Sequence, residues 1–588
     1  MNFRESLTRR NIIIGSSVLI VGLVVAGFLV MRRPQRVNMD RYVPADALVF
    51  VEVNSLADLF DGLTGTRAWR QLAPLLGISS QLRELGAVTD LIGRSGIGPD
   101  EAVVTARAQY AIAITGVESE TGETEEGPFL HLKPDFALII ETHTKPETAA
   151  RIVRDRASMI AQRLYGESAE EHSDQHQGSQ LRVFDGPGVR HQLIISSLGS
   201  VILIANQVDA MKLCLDTIAG RAAGLADDTT LNHLRPEVGI DPPIFAYVTA
   251  NGIEKLVQLW PLLIAGRAEP EGISVFADLI EHLSKQASAG LIYSSQFEAD
   301  GVTDRYLTAL RPEVAEALIQ PLKPSSAATF ESLAMIPRDV ESLTLLNMNN
   351  PGELPERVLK QLSPTVDIVA GVALREFVIN FRKQYGLEPS DSLGDAIGNE
   401  IAVVNFRDEQ PRAMFFRVNE TSRIGPIVNK YLTRKAASVR NEEHEGTQIL
   451  VSSDDDRRAA AFVGDFLVLG TRDQIIKIVE TNSKGDGSDK DERLKRILSS
   501  RPTNTSIISY RPRVEDAGKL LLAISKLTRV TDGSPELLDR DSMRKAIDQL
   551  PPAISFTEFR EYGVYTETHS AVGNFSAIAG LIGNGSGE

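Results

Sequence analysis

Hydrophobic and polar positions divide this chain into one long apolar run and a body of shorter alternations. The run, Asn11 to Met31, carries no charge and is bracketed by Arg9, Arg10 and by Arg32, Arg33. As a helix rising ~1.5 Å per residue it measures about 31 Å, the thickness of a bilayer's hydrocarbon core. A cleaved export signal has a shorter apolar region and ends in small residues. This run instead ends Leu29-Val30-Met31-Arg32-Arg33. The pattern therefore predicts an uncleaved single transmembrane helix at 11–31. A short cytoplasmic tail, 1–10, precedes it and a basic linker, 32–43, follows. Thr8-Arg9-Arg10-Asn11 reads as ordinary flanking arginines rather than a twin-arginine signal.

Beyond the linker, strand and helix patterns alternate. Ala47 to Val53 reads as a strand, and Ser55 is placed to cap a helix that begins at Leu56. The chain then repeats itself in order. Pro44 and Asp46 before one strand are echoed by Pro337 and Asp339 before another. Tyr110 to Ile114 is echoed by Glu400 to Val404, and Pro134 to Ile140 by Pro411 to Phe416. Gly199, a strand and a helix to Leu213 match Gly464, a strand and a helix to Ile478. Pro243 to Val248 matches Pro502 to Tyr510, and the strand pair around Gly290 and Gly301 matches that around Ala553 and Gly563. The offset, roughly 260–290 residues, is far beyond a solenoid period. The expected fold is α+β: two tandem copies, 44–325 and 335–573, each an antiparallel or mixed sheet with helices on one face. The extra length of the first copy falls in two polar stretches, Val117 to Gly127 and Gly166 to Gly178, which read as loops. Asn482 to Arg493 and the tail 574–588, Gly/Ser-rich from Gly583, read as flexible.

The apolar run, then Pro44, Asp46, Phe50 and Val51, then the glycine-strand-turn-helix units at Gly199 and Gly464, together resemble a bacterial family, domain of unknown function 3352. The resemblance covers about residues 11–573. It implies a membrane-anchored, envelope-facing protein and supplies neither an activity nor site residues.

The net charge of −16 disfavours nucleic-acid backbones. A single cysteine, Cys214, excludes an intramolecular disulfide and a thiolate metal cluster. His172 and His176 stand four apart with Glu170, Glu171 and Asp174 nearby, which is zinc-ligand spacing only on a helix. Their segment, Glu167 to Gln180, lacks an apolar stripe and reads as a solvated loop. Asp454, Asp455 and Asp456 read as a hairpin turn. Asp486 to Glu492 lacks the ligand order of a calcium loop, and Gly93, Gly96 and Gly98 do not form a nucleotide-binding fingerprint. Cys214 reads as core, and His191 and His233 have no sequence partners. No catalytic, cofactor-binding or metal residue is assigned.

These readings favour a non-enzymatic module of the cell envelope, held in the cytoplasmic membrane and contacting membrane lipid and envelope proteins. The body is expected outside the cytoplasm, although Arg32, Arg33, Arg36 and Arg41 slightly outnumber Arg4, Arg9 and Arg10. The alternatives are a carrier or sensor holding a small apolar ligand between the two copies, and a hydrolase with a dispersed site.

Overall fold

The structure, a computed structural model, describes residues 36–574 apart from 77–97, 125–126, 167–168, 187–191, 265–283, 326–328, 385–392, 408–411, 434–437, 454–457 and 514–539. The segment predicted to span a membrane, 11–31, and the triplet Asp454 to Asp456 lie outside the described residues. Among the described residues no helix is long and apolar enough to cross a membrane, which corrects the membrane-spanning reading. The longest described helix, Pro146–Tyr165, has the 20 residues that a span needs but carries Arg151, Arg154, Asp155 and Arg156.

The chain's first half forms β1 (Val49–Val53), β2 (Gln109–Thr124), β3 (Gly127–Glu141), β4 (Glu170–His176), β5 (Ser179–Asp185), β6 (Gln192–Leu198), β7 (Val201–Ala205), β8 (Ile244–Thr249), β9 (Ser288–Glu298) and β10 (Gly301–Leu310). The second forms β11 (Ser342–Asn347), β12 (Ile397–Asn405), β13 (Ala413–Val418), β14 (Val439–His444), β15 (Thr447–Ser452), β16 (Ala459–Val463), β17 (Phe466–Gly470), β18 (Ile507–Arg511), β19 (Ala553–Arg560) and β20 (Gly563–Ser570). In the first half the strands lie in the order β4-β5-β6-β7-β3-β2-β1-β8-β9-β10. In the second the order is β14-β15-β16-β17-β13-β12-β11-β18-β19-β20, strand for strand the same path. β10 then pairs with β20, so the expected two separate, antiparallel or mixed sheets are in fact one 20-stranded sheet with every pairing antiparallel.

Helices cover both faces of this sheet, not one. On one face of the first half, Met211, Cys214 and Leu215 of helix Val208–Ile218 enter a core with Phe50, Ile139 and Leu203. On the other, Ala149, Val153, Ala157 and Ala161 of helix Pro146–Tyr165 recur every fourth residue, and their small side chains let the helix lie close on Ile195 and Ile202. The second half repeats this with Ile475, Ile478 and Val479 on one face. Ile424, Val428 and Leu432 lie on the other.

Three local expectations change. Residues 36–43 are not a linker: Met39 and Val43 are fully buried, and Tyr42 donates to Glu141 at 2.8 Å. The two polar insertions are not loops. Val117 to Thr124 continues β2 as a ribbon against β3, and Glu170 to His176 is an edge strand closed onto β5 by Gln177 and Gly178 at φ 50° and 87°. Glu445 and Gly446, at φ 48° and 77°, make the same tight turn between β14 and β15. Asn482 to Arg493 is ordered, with Gly485 ending helix Arg472–Lys484 in the left-handed region and Asp491 capping helix Glu492–Ser499.

The β10–β20 seam joins equivalent strands of the two halves. At its centre Arg305 faces Glu567, 262 residues away, and donates to it at 2.9 Å. The same separation relates Gly301 to Gly563 and Thr308 to Ser570. A Cβ on Gly301 would collide with the Ser570 carbonyl, and one on Gly563 with the Thr308 carbonyl, so both ends of the ladder need glycine. The seam is thus built like the interface of a two-fold dimer. Glu567 also accepts from Tyr565 at 2.9 Å and pairs with His569 at 2.9 Å.

The His569 hydrogen bond, with those of Tyr565 and Arg305, holds the Glu567 carboxyl down to about 2 against the opposing effect of burial. A carboxylate held below its ordinary value of 4.5 contributes stability that is complete above that value and is lost as pH falls towards about 2. At 1.36 kcal/mol per unit the contribution is on the order of 3 kcal/mol. Glu567→Gln should therefore lower the urea midpoint at pH 7 and flatten its decline between about pH 4.5 and 2. Arg305→Glu should cost roughly 1–3 kcal/mol, part of which the exchange Arg305→Glu with Glu567→Arg recovers. A double variant no more stable than Arg305→Glu would remove the pair from this role.

Candidate ligand pocket

β11, β12, β13 and β17 are apolar at both parities, so neither face suits water. One alternate set, including Leu345, Val404, Phe415 and Val468, is fully buried beneath helix Arg472–Lys484. The other set forms the floor of a cavity in two rungs. Leu346, Ile401, Phe416 and Leu467 pair in succession across the four strands, and Val403, Met414 and Leu469 make the next rung. The cavity volume is about 390 Å³, within the usual range of small-molecule sites.

Its walls come from three helices. Helix Thr421–Thr433 buries Ile424, Val428 and Leu432 on the sheet and turns Ile427 and Tyr431 towards the cavity. Leu354 and Pro355 open helix Leu354–Leu362, in which no residue is buried. That helix packs against helix Pro312–Leu322 of the first half. Helix Ile368–Gln384 follows it, started by Asp367, which accepts from the Ala370 N–H at 2.8 Å. Asp367 is itself clasped by Gln286, which donates to its carboxylate at 2.5 Å and accepts from its N–H at 2.8 Å. The roof is therefore tied to the first half while the floor belongs to the second.

The charged residues of the lining are Glu356 and Arg382, which form an ion pair across the two roof helices. Their burial is unequal: the Arg382 side chain is 14% exposed and that of Glu356 50%. Arg357 fastens the start of the roof by donating to the carbonyls of Asn349 and Asn350.

The residues weighed from sequence fall elsewhere. His172 and His176 lie on β4, where four residues span about 13 Å, too far for one ion. Each has its own carboxylate, Asp185 at 3.1 Å and Asp216 at 3.0 Å. Among the described residues no group of three or more His, Cys, Asp or Glu could hold a metal. Cys214 is buried, and burial pushes its thiol up to about 12, far from the reactive range. His233 stacks edge-on against Tyr562 at 4.8 Å. Asp486 pairs with Arg338, and Asp491 is a helix cap. Gly98 precedes helix Pro99–Arg107, while His191, Gly93 and Gly96 lie outside the described residues.

A second polar cluster lies in the first half. Arg235 binds Asp40 at 3.0 Å and Glu52 at 2.5 Å while stacking 4.3 Å above Phe245. Burial pushes both carboxyls up, and the Arg235 charge opposes the rise. This cluster fastens the segment around Met39 to β1.

No family model matches this chain, and no curated protein or solved structure is similar to it.

The corner of the pocket depends on Gly352, whose Cα meets the Gly394 carbonyl so closely that a Cβ would collide with it. Gly352→Ala should lower stability by roughly 1–3 kcal/mol by pushing Pro351 and Leu354 apart from Leu393. The measurement is the urea midpoint at unchanged slope. A midpoint equal to that of the parent would show that the corner yields freely.

Proposed function

We propose that the protein is a carrier or sensor that binds one small apolar molecule in its second half. The supporting observation is the cavity of about 390 Å³ whose lining is largely apolar and carries one charged pair, Glu356–Arg382. Two rungs of a rigid sheet form one side and a loosely packed helix forms another, so a ligand can enter without disturbing the core. The site lies within the second half and not in a cleft between the halves, where a carrier site was expected. Burying roughly 300 Å² of ligand at about 25 cal/mol per Å² supplies about 7.5 kcal/mol of transfer free energy, and the loss of the ligand's own freedom reduces what appears as affinity, so binding is micromolar or weaker. Display of a bare surface to an envelope partner and hydrolysis at a dispersed site have no comparable feature behind them among the described residues.

Fluorescence titration of the full chain with N-phenyl-1-naphthylamine tests this. One site per chain is expected, with affinity falling at least tenfold in Met414→Trp, which fills the floor, and in the milder Val403→Phe. Undiminished binding by both folded variants would exclude this cavity.

A further inference from the structure

The two rungs that floor the pocket continue past its edge. Val403 pairs with Thr344, and from there the rung runs on through Ser509, Ser555, Thr568, Asp304 and Ser295. From Thr344 onwards that is six neighbouring strands, each presenting a hydroxyl or a carboxyl on the pocket's side of the sheet. The other rung passes from Leu346 through Ile507 to Thr557, Thr566 and Tyr306. On the opposite side the second-half strands are core, with Leu345, Ile508 and Phe556 buried. An apolar field and a hydroxyl field thus lie side by side on one face. They meet at Thr344, which faces the floor residue Val403 across the ladder and stands two residues from the floor residue Leu346.

The strand path does not require this polarity. β1 and β8, the first-half counterparts of β11 and β18, pair Val49 with Val248 and Val51 with Ala246 on the same face. Nor is the hydroxyl field open surface: Thr568, Asp304 and Ser295 are buried, and Thr344, Ser509 and Ser555 are half-buried. The hydroxyls lie in pairs, Thr344 with Ser509 at 3.4 Å, Ser555 with Thr568 at 2.8 Å and Thr557 with Thr566 at 3.0 Å. A hydroxyl donates once and accepts twice, so each pair keeps capacity for a hydroxyl of a ligand. Asp304 already accepts from the Tyr293 hydroxyl at 2.7 Å and the Asn574 N–H at 2.6 Å. A charged head laid on Thr344 and Ser509 would give up water for groups that carry no opposite charge. Resting on the pocket reading above, we infer that the ligand class is a neutral amphiphile whose head carries several hydroxyls, a glycosyl or glyceryl group. It lies across the strands, with its apolar part on Leu346, Ile401 and Val403 and its head on Thr344 and Ser509.

The test is calorimetric titration of the full chain with octyl glucoside, 1-O-octylglycerol, octanol, octanoate and octyltrimethylammonium, each below its micellar concentration. At least one of the two polyol-headed probes should bind at least tenfold more tightly than octanol, and neither charged probe should bind more tightly than octanol. Thr344→Val combined with Ser509→Ala removes both members of one hydroxyl pair and so leaves neither stranded. That variant should bring the polyol-headed probe down to the affinity of octanol and leave octanol itself unchanged, whereas Met414→Trp should weaken both. Polyol heads that bind no better than octanol, or an advantage that survives in the double variant, would overturn the ligand class while leaving an apolar pocket in place. A charged probe that binds more tightly than octanol would do the same. Failure of all five probes to bind would overturn the pocket reading as well.

Discussion

Everything in this molecule hangs on the ladder between β10 and β20. Without it each half would end in an open strand whose backbone donors and acceptors face water, a template for indiscriminate pairing. Joining the two ends removes both edges at once. It also fixes one half against the other through eight paired positions, from Val302 with Ser570 to Ala309 with Gly563. The two-fold arrangement brings equivalent positions face to face at its centre, where identical charged residues would repel. Arg305 opposite Glu567 turns that position from a liability into a selective contact, favouring the two different strands over any pairing of like with like. The remaining edges, β4 and β14, have polar sequences: Glu170, Glu171 and Asp174 on one, Arg440, Glu442 and Glu443 on the other. Charge on an exposed edge discourages further strand addition.

The seam also explains why a cavity can persist in the second half. The sheet there is apolar on both faces, so both need cover. One face receives helix Arg472–Lys484, with Ile475 and Ile478 fully buried. The other receives a roof whose supports lie across the seam: Gln286 clasps Asp367, and helix Pro312–Leu322 backs helix Leu354–Leu362. A roof held by one half over a floor supplied by the other cannot settle fully onto that floor. Its first helix buries nothing, and Leu346, Ile401, Val403, Met414 and Phe416 remain half-buried. The cost of leaving apolar surface unpacked is the same free energy that a ligand recovers on entry.

Much of the strand path was legible because it is written locally. Each strand has its own apolar alternation, and each glycine-strand-turn-helix unit recurs in order, so β7 with Gly199 and β17 with Gly464 could be paired by eye. The joint between the halves was not legible, since nothing in β10 or β20 names its neighbour 262 residues away. Composition misled where polar residues serve structure. Gly485, Ser488 and Asp491 look like a flexible run but end one helix, bond to the Pro337 carbonyl at 2.9 Å and start the next helix. Glu170 to His176 looks like a loop because an edge strand has no apolar face to show. Residues 36–43 look like a basic linker, yet Asp40 is buried against Arg235 and Met39 fills the core.

The pocket was hidden for a different reason. Phe415 and Phe416 are adjacent, chemically identical and equally expected in a strand, but the first is sealed in a core and the second lines a cavity. What separates them is the packing density of a helix that the chain forms some sixty residues earlier, and density is a property of the assembled fold. The same holds for the charged pair in the lining. Glu356 and Arg382 look like two of many surface charges, one on each of two successive helices. Only the fold brings them together across two helices and leaves one mostly buried and the other half-exposed, which neither charge announces in the sequence.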